Sequence, residues 1–359
     1  MKSLSLKSGL VILLVATLGC SGGQQQVLPG ATQVTEQSAP APTATSLPAV
    51  ALSTATSVPT ATSEPLAALF PVTIENCGIT FTYEKPMERA VTMNQHVTEL
   101  MLALGLQDRM LGTAYIDDFI LPEFLDAYDS IEVLAEEYPS REVLLNVEPD
   151  FVFGGFGSAF SDENAGSQQS LKDLGINSYL THAECDEGPD SMEDVYADII
   201  DIGAIAGVPE RAAALVASIE DDLSEIKSAI GGEGELVRTF LYDSGDDAPY
   251  TSVCCGMITH LIESAGGKNI FDDVEGRWTS VSWEEVIARD PEVIILTEAV
   301  WSTAAEKIEL LNNDPALSEI SAVRNVRFVK LRFSSLVPGI RNATAIKLIA
   351  EELYPDKFP

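Results

Sequence analysis

The chain has 359 residues, enough for two compact lobes, and 46% of them are apolar, so most of it is expected to fold. With 55 acidic and 21 basic residues the formal net charge is −34, which repels a phosphate backbone and argues against nucleic acid as a partner. That acidity is expected to be a solubilising shell, or else to attract a cationic ligand or a basic patch on a partner. Three histidines, His96, His182 and His260, are too few for a His-rich zinc or manganese site.

The first residues read as a targeting segment. Lys2 and Lys7 give a positive start, and Gly9 to Leu18 is an apolar run too short for a stable membrane span. Thr17-Leu18-Gly19-Cys20 follows and resembles a bacterial lipoprotein signal, with Leu18 one place later than the usual pattern. Residues 1–19 are thus expected to be removed and Cys20 to carry lipid, anchoring the protein to a membrane. Residues 20–68, rich in Ala, Thr, Ser and Pro, read as a disordered tether with a root-mean-square span of about 40 Å.

An exported chain can hold disulfides. Beyond Cys20 there remain Cys77, Cys185, Cys254 and Cys255, with three possible pairings. Pairing Cys254 and Cys255 each with a distant partner, Cys77 or Cys185, would be less strained than a bond between neighbours, and the sequence leaves the choice open.

From residue 69 the pattern is regular. Strands are expected over Arg89–Met93, Met110–Tyr115, Phe151–Phe153 and Ser178–Thr181. Between them lie a helix capped by Asn94 or Thr98 and stopped by Gly105, a short helix capped by Ser140, and a helix over Gln168–Leu174. Residues 189–230 read as two helices, the first capped by Ser191 and the second opened by Pro209. That second helix carries Leu215, Ile219, Leu223 and Ile226 on one face and is about 33 Å long, enough to bridge two lobes. Strands resume at Arg238–Tyr242, Val293–Leu296 and Arg327–Leu331, with helices at Met257–Glu263, Ala304–Leu311 and Ala343–Leu353. The expected fold is α/β: two doubly wound lobes, residues 69–188 and 231–359, joined by the 189–230 connector, with a ligand cleft between them.

The lobes echo each other. Ser140-Arg141-Glu142 precedes Pro149-Asp150-Phe151-Val152-Phe153, and Ser282-Trp283-Glu284 precedes Pro291-Glu292-Val293-Ile294-Ile295 at the same offsets. Each serine can cap a short helix, and each glutamate falls in its first turn, where the helix dipole favours a carboxylate.

Residues 70–355 resemble the binding proteins for iron–siderophore complexes, cobalamin and haem in ABC import systems. The landmarks are Pro86-Met87-Glu88-Arg89-Ala90-Val91, Thr98-Glu99-Leu100 through Gly105-Leu106 to Gly112, Glu148-Pro149-Asp150-Phe151-Val152, Gly266-Gly267-Lys268-Asn269-Ile270-Phe271 and Val281-Ser282-Trp283-Glu284. The resemblance implies two lobes on one long helix with little relative motion, a small-molecule ligand and an ABC permease as partners, a monomer, no cofactor and no catalysis. It also places Glu142 and Glu284 where one surface glutamate per lobe docks onto permease arginines.

Ligands of doubly wound sheets lie beyond the carboxyl ends of the strands. The candidates there are His96, Tyr115, Asp117 and Phe156 in the first lobe, and Asp243, Trp278, Trp301 and Arg341 in the second. The aromatic residues suit a flat, conjugated or macrocyclic ligand. Arg341 can clamp a ligand carboxylate or pair at its helix entry. The aspartates can attract a cation or serve as turn caps. His96 can touch the ligand or line the cleft. The competing readings are a bare metal-ion carrier and a ligand sensor for a membrane receptor. An extracellular enzyme is disfavoured, since the G-x-S-x-G string at Gly19 to Gly23 falls at the targeting segment and not in a strand-to-helix elbow, and no P-loop or H-E-x-x-H helix occurs.

Overall fold

Two short strands open the described part of the chain, which comprises residues 69–185, 188–231 and 234–358 of a computed structural model. The signal segment, the tether and Cys20 lie outside the described residues. β1 (Val72–Asn76) and β2 (Ile79–Tyr83) pair antiparallel around a turn at Cys77-Gly78, both at positive φ. Five parallel strands follow: β3 (Ala90–Met93), β4 (Met110–Ala114), β5 (Val133–Ala135), β6 (Phe151–Gly154) and β7 (Asn177–Leu180), in the order β5-β4-β3-β6-β7. The crossovers carry α1 (Gln95–Ala103), α2 (Leu125–Tyr128), α3 (Arg141–Asn146) and α4 (Gln168–Lys172).

After α5 (His182–Cys185), α6 (Met192–Ile205) and α7 (Pro209–Ile230) lead to the second sheet. A capping box closes the α6 entrance: Ser191 accepts from the Glu193 amide, and Asp194 accepts from the Ser191 amide. Pro209 sits in the first turn of α7, which runs 22 residues, as expected. The second half then forms β8 (Val237–Tyr242), β9 (Tyr250–Ser252), β10 (Gly267–Asn269), β11 (Trp278–Ser280), β12 (Val293–Glu298) and β13 (Phe328–Arg332). β10-β8-β12-β13 is a parallel sheet, and β9 and β11 make a separate antiparallel pair. Around them lie α8 (Met257–Ser264), α9 (Trp283–Arg289), α10 (Ala304–Asn313), α11 (Ser321–Arg324) and α12 (Asn342–Leu353).

Strand alternation divides the core into three. Phe151 and Phe153 face one side of the first sheet and Val152 the other; Val293 and Ile295 face one side of the second sheet and Ile294 and Leu296 the other. The outer faces have separate clusters, around Val152, Leu144 and Leu171 in one lobe and Phe240, Ile294 and Val286 in the other. The inner faces share one continuous core that runs from Phe153 and Tyr179 through Ile202, Ile219 and Ile226 to Leu241, Ile295 and Ile346. A shared close-packed core resists sliding of one lobe against the other.

The structure settles the cysteine pairing and corrects the cap of α1. The disulfides join Cys77 to Cys185 and Cys254 to its neighbour Cys255. The hairpin turn brings Cys77 beside the end of β7, where Asn76 also holds the Leu180 carbonyl, and its bond to Cys185 uses both distant cysteines. Asn94 stands at the N-cap of α1 but makes no cap bond; its φ of 98° turns the amide toward the neighbouring strand ends. There its Oδ1 accepts from the Gly155 amide and the Tyr138 hydroxyl.

Candidate functional site

In each sheet the chain leaves its first strand in one direction and later returns on the other side. The reversal falls between β3 and β6 in the first lobe and between β8 and β12 in the second. Helices cannot cover the carboxyl ends at such points, so a crevice forms there. His96 and Phe156 follow the first pair of strands, and Asp243 and Trp301 follow the second.

Both lobes line a pocket of about 110 Å³. Phe156, Thr181 and Glu184 come from the first lobe, and Met257, Arg277 and Trp278 from the second. The Trp278 indole stacks on Tyr250, with centroids 5.4 Å apart and planes 14° apart; both rings are carried by the paired β9 and β11. Phe156 meets the His96 ring edge-on at 5.1 Å. His96 is only 5% exposed, with Nε2 3.3 Å from the Gly155 carbonyl oxygen. Burial pulls its pKa down to about 4, so near neutral pH the ring is uncharged and props Phe156 from below.

The pocket floor carries an ion pair that sequence reading missed. Arg277 Nε lies 2.9 Å from Asp190 Oδ1, and its guanidinium also donates to the Gly188 carbonyl. Asp190 accepts from the Met257 amide, and its own amide donates to the Cys255 carbonyl. Burial pushes Asp190 up to about 6, against the pull of Arg277. The segment entering α6 is thereby tied to the loop that holds the vicinal disulfide.

Other aromatic pairs follow strand ends without lining this pocket, and Trp301 instead lines a separate open hollow with Asp246 and Lys307. Tyr115, at φ 56°, stacks on Tyr138 with centroids 4.6 Å apart. The Tyr138 hydroxyl donates to Asn94 and receives from Ser158. Asp117 is half-buried beside them, and burial pushes its pKa up to about 6. Trp301 is 57% exposed and meets Phe333 edge-on at 5.6 Å. Asp243 accepts from the Ser244 hydroxyl.

Arg341 is placed differently from the clamp expectation. Its guanidinium forms a two-pronged pair with Glu99 across the lobes, Nε to Oε2 at 2.6 Å, and also donates to the Phe119 carbonyl. Arg341 is 7% exposed and Glu99 fully buried, so the cation answers an internal acid and not the cleft. A second bridge runs from Arg332 to Asp118 at 2.6 Å, with Ser334 on the other carboxylate oxygen. Neither Glu99 nor Tyr250 could be singled out from sequence: Glu99 belongs to a helix and a landmark that do not reveal its distant partner, and Tyr250 lies in a strand of three residues.

Glu142 and Glu284 are both exposed, each at the second residue of its helix. Ser140 accepts from the Val143 amide and Ser282 from the Glu285 amide, so the two helix starts match. The echo extends to the acids after the prolines: Asp150 accepts from the Arg89 amide and Glu292 from the Arg238 amide. Among the described residues neither Glu142 nor Glu284 is in an ion pair or side-chain hydrogen bond.

A larger hollow of about 540 Å³ lies by Leu236 and Gly266, at the amino ends of strands, where doubly wound sheets do not bind ligands. Among the described residues no three His, Cys, Asp or Glu side chains converge to hold a metal, and no helix is long and apolar enough to cross a membrane.

The chain is similar to an uncharacterised ABC transporter substrate-binding lipoprotein of Bacillus subtilis, YvrC, at 28% identity over 81% of this chain and 88% of the relative. It is 23% identical to a vitamin B12-binding protein of Vibrio parahaemolyticus over 65% of this chain and 79% of that one. Among solved structures, a periplasmic binding protein from Veillonella parvula superposes with a TM-score of 0.72 at 30% identity, over 79% of this chain and 97% of that one. The family model of the periplasmic binding proteins matches residues 91–334. The chain belongs to the periplasmic binding protein family, solute-binding components of transport systems that catalyse no reaction.

Proposed function

We propose that this protein is the extracytoplasmic solute-binding component of an ABC importer, held to the membrane by lipid on Cys20. It captures a metal chelate, a corrinoid or ferric siderophore, between its lobes and delivers it to the permease. The observation that carries this reading is the pocket at the carboxyl ends of both sheets, walled by Phe156 and the Trp278–Tyr250 stack. Flat apolar walls with few polar groups suit a conjugated or macrocyclic ligand. Tyr115, Asp117, Asp243 and Trp301 extend the contact surface beyond the pocket at the strand ends, and His96 supports it from beneath. The pocket of about 110 Å³ would take an edge or side group of such a ligand rather than the whole ring. Similarity to the substrate-binding lipoprotein and the vitamin B12-binding protein supports the same ligand class and the membrane anchor. Glu142 and Glu284, one per lobe, present carboxylates to basic residues of a permease.

Native mass spectrometry after incubation with ferric siderophores, haem, corrinoids and bare metal ions tests the reading. A one-to-one complex with a chelate is expected. Binding of bare metal alone would replace it with a metal-ion carrier.

A further inference from the structure

We infer that the cleft selects its ligand by charge, taking an uncharged or cationic chelate rimmed with amides and excluding the carboxylate-rich form of the same ring. The inference rests on the reading above that the cleft is the ligand site. Its basis is the disposition of cations. Among the described residues, each cation that the fold brings to the cleft answers a group of the protein itself. Arg277 pairs with Asp190, Arg332 with Asp118 and Arg341 with Glu99. Lys307, at the end of the second sheet, is buried and donates to the Thr297 and Ser302 carbonyls. His96, uncharged near neutral pH, supplies no cation and is buried against Gly155.

The acids of the cleft are not matched in the same way. Glu184 lines the pocket and accepts only from the Gly157 amide among the described contacts. Asp117 has no cation within ion-pair distance among the described residues, and Asp243 at the end of β8 makes no ion pair there but feels the charge of the nearby buried Lys307. A ligand carboxylate brought into this crevice meets like charge in a medium of reduced dielectric, with no arginine to receive it unless an internal pair breaks. A peripheral amide meets acceptors it can donate to, and a metal-centred positive charge meets acids. The net charge of −34 adds long-range repulsion of anionic ligands. Discrimination of this kind works by penalising the wrong ligand more than by rewarding the right one.

The test compares two corrinoids with the same ring and cobalt: diaquocobinamide, with amide side chains, and cobyrinic acid, with free carboxylates in their place. Each is titrated into the full-length protein in mild detergent by isothermal calorimetry at low and at high salt. The expected result is at least a 100-fold preference for cobinamide at low salt. The preference should shrink in an Asp117→Asn, Glu184→Gln, Asp243→Asn variant whose thermal midpoint matches the parent. Binding of both within about threefold, or tighter binding of cobyrinic acid, overturns the charge inference and leaves capture of the ring intact. Binding of neither overturns the corrinoid reading together with the inference built on it.

Discussion

At the scale of single residues, the account turns on which side chains face the cleft and which serve the fold. Trp278 lies in the pocket wall with one face on Tyr250. Trp278→Ala should weaken chelate binding by about 1–2 kcal/mol while leaving the thermal midpoint nearly unchanged, as calorimetry and a melting curve would show. Arg341 should behave in the opposite way. Arg341→Met strands the buried Glu99 carboxylate and should cost about 3–5 kcal/mol of stability. Adding Glu99→Leu should restore most of it, with ligand affinity unchanged in the double variant. Sequence showed the aromatic character of the cleft but not this pairing, because the partners are far apart in the chain and an arginine at a helix entry reads alike in both roles.

Asp198 offers a pH test. It is fully buried, with the His182 amide and the Tyr179 hydroxyl as donors. Burial lifts its pKa well above 3.8, despite those bonds and with the charge of Asp201 adding to the rise. A raised pKa means that the folded state prefers the proton. The stability associated with Asp198 is therefore fully present below about pH 4, the unfolded carboxylate range, and is lost as pH rises through the folded value. Asp198→Asn keeps an acceptor for the His182 amide and cannot ionise. Chemical denaturation should find the variant more stable than the parent at pH 8 and no more stable at pH 4. A parent whose stability does not fall with pH relative to the variant would contradict the burial argument.

At the scale of elements, the long helix, the parallel strands other than the three-residue β5 and β10, and the serine-capped helices were legible because each carries a local signal: helical spacing on α7, apolar runs at β3, β6 and β12, and a serine three residues ahead of a bonded amide. The β9–β11 pair was not. Each strand has three residues, and neither Tyr250-Thr251-Ser252 nor Trp278-Thr279-Ser280 is long enough to show a period. The cysteine pairing was also hidden, since it depends on the β1–β2 turn reaching the end of β7. Cys77 and Cys185 are 108 residues apart, so chain entropy assigns that bond about 4–5 kcal/mol. The Cys254–Cys255 bond closes almost no loop and should contribute little through the unfolded chain. Cys77→Ser with Cys185→Ser should lower the urea midpoint sharply. Cys254→Ser with Cys255→Ser should shift it far less and act instead on the Asp190 contact beside the pocket.

At the scale of the whole molecule, the two sheets share an inner core through α6, α7 and α12, and the Glu99–Arg341 and Asp118–Arg332 pairs cross the same boundary. Under the proposed function, such a body would present both lobes to a permease in a nearly fixed arrangement. Glu142 and Glu284 are suited to that contact by position: exposed, unbonded among the described residues and set on matching helices. The most direct test is uptake of radiolabelled cyanocobalamin, or of the chelate that the mass spectrometry identifies, by cells with the cognate permease and either the parent protein or the Glu142→Ala, Glu284→Ala variant. The account predicts an unchanged dissociation constant for the purified variant and loss of import. Import at the parent rate would contradict it.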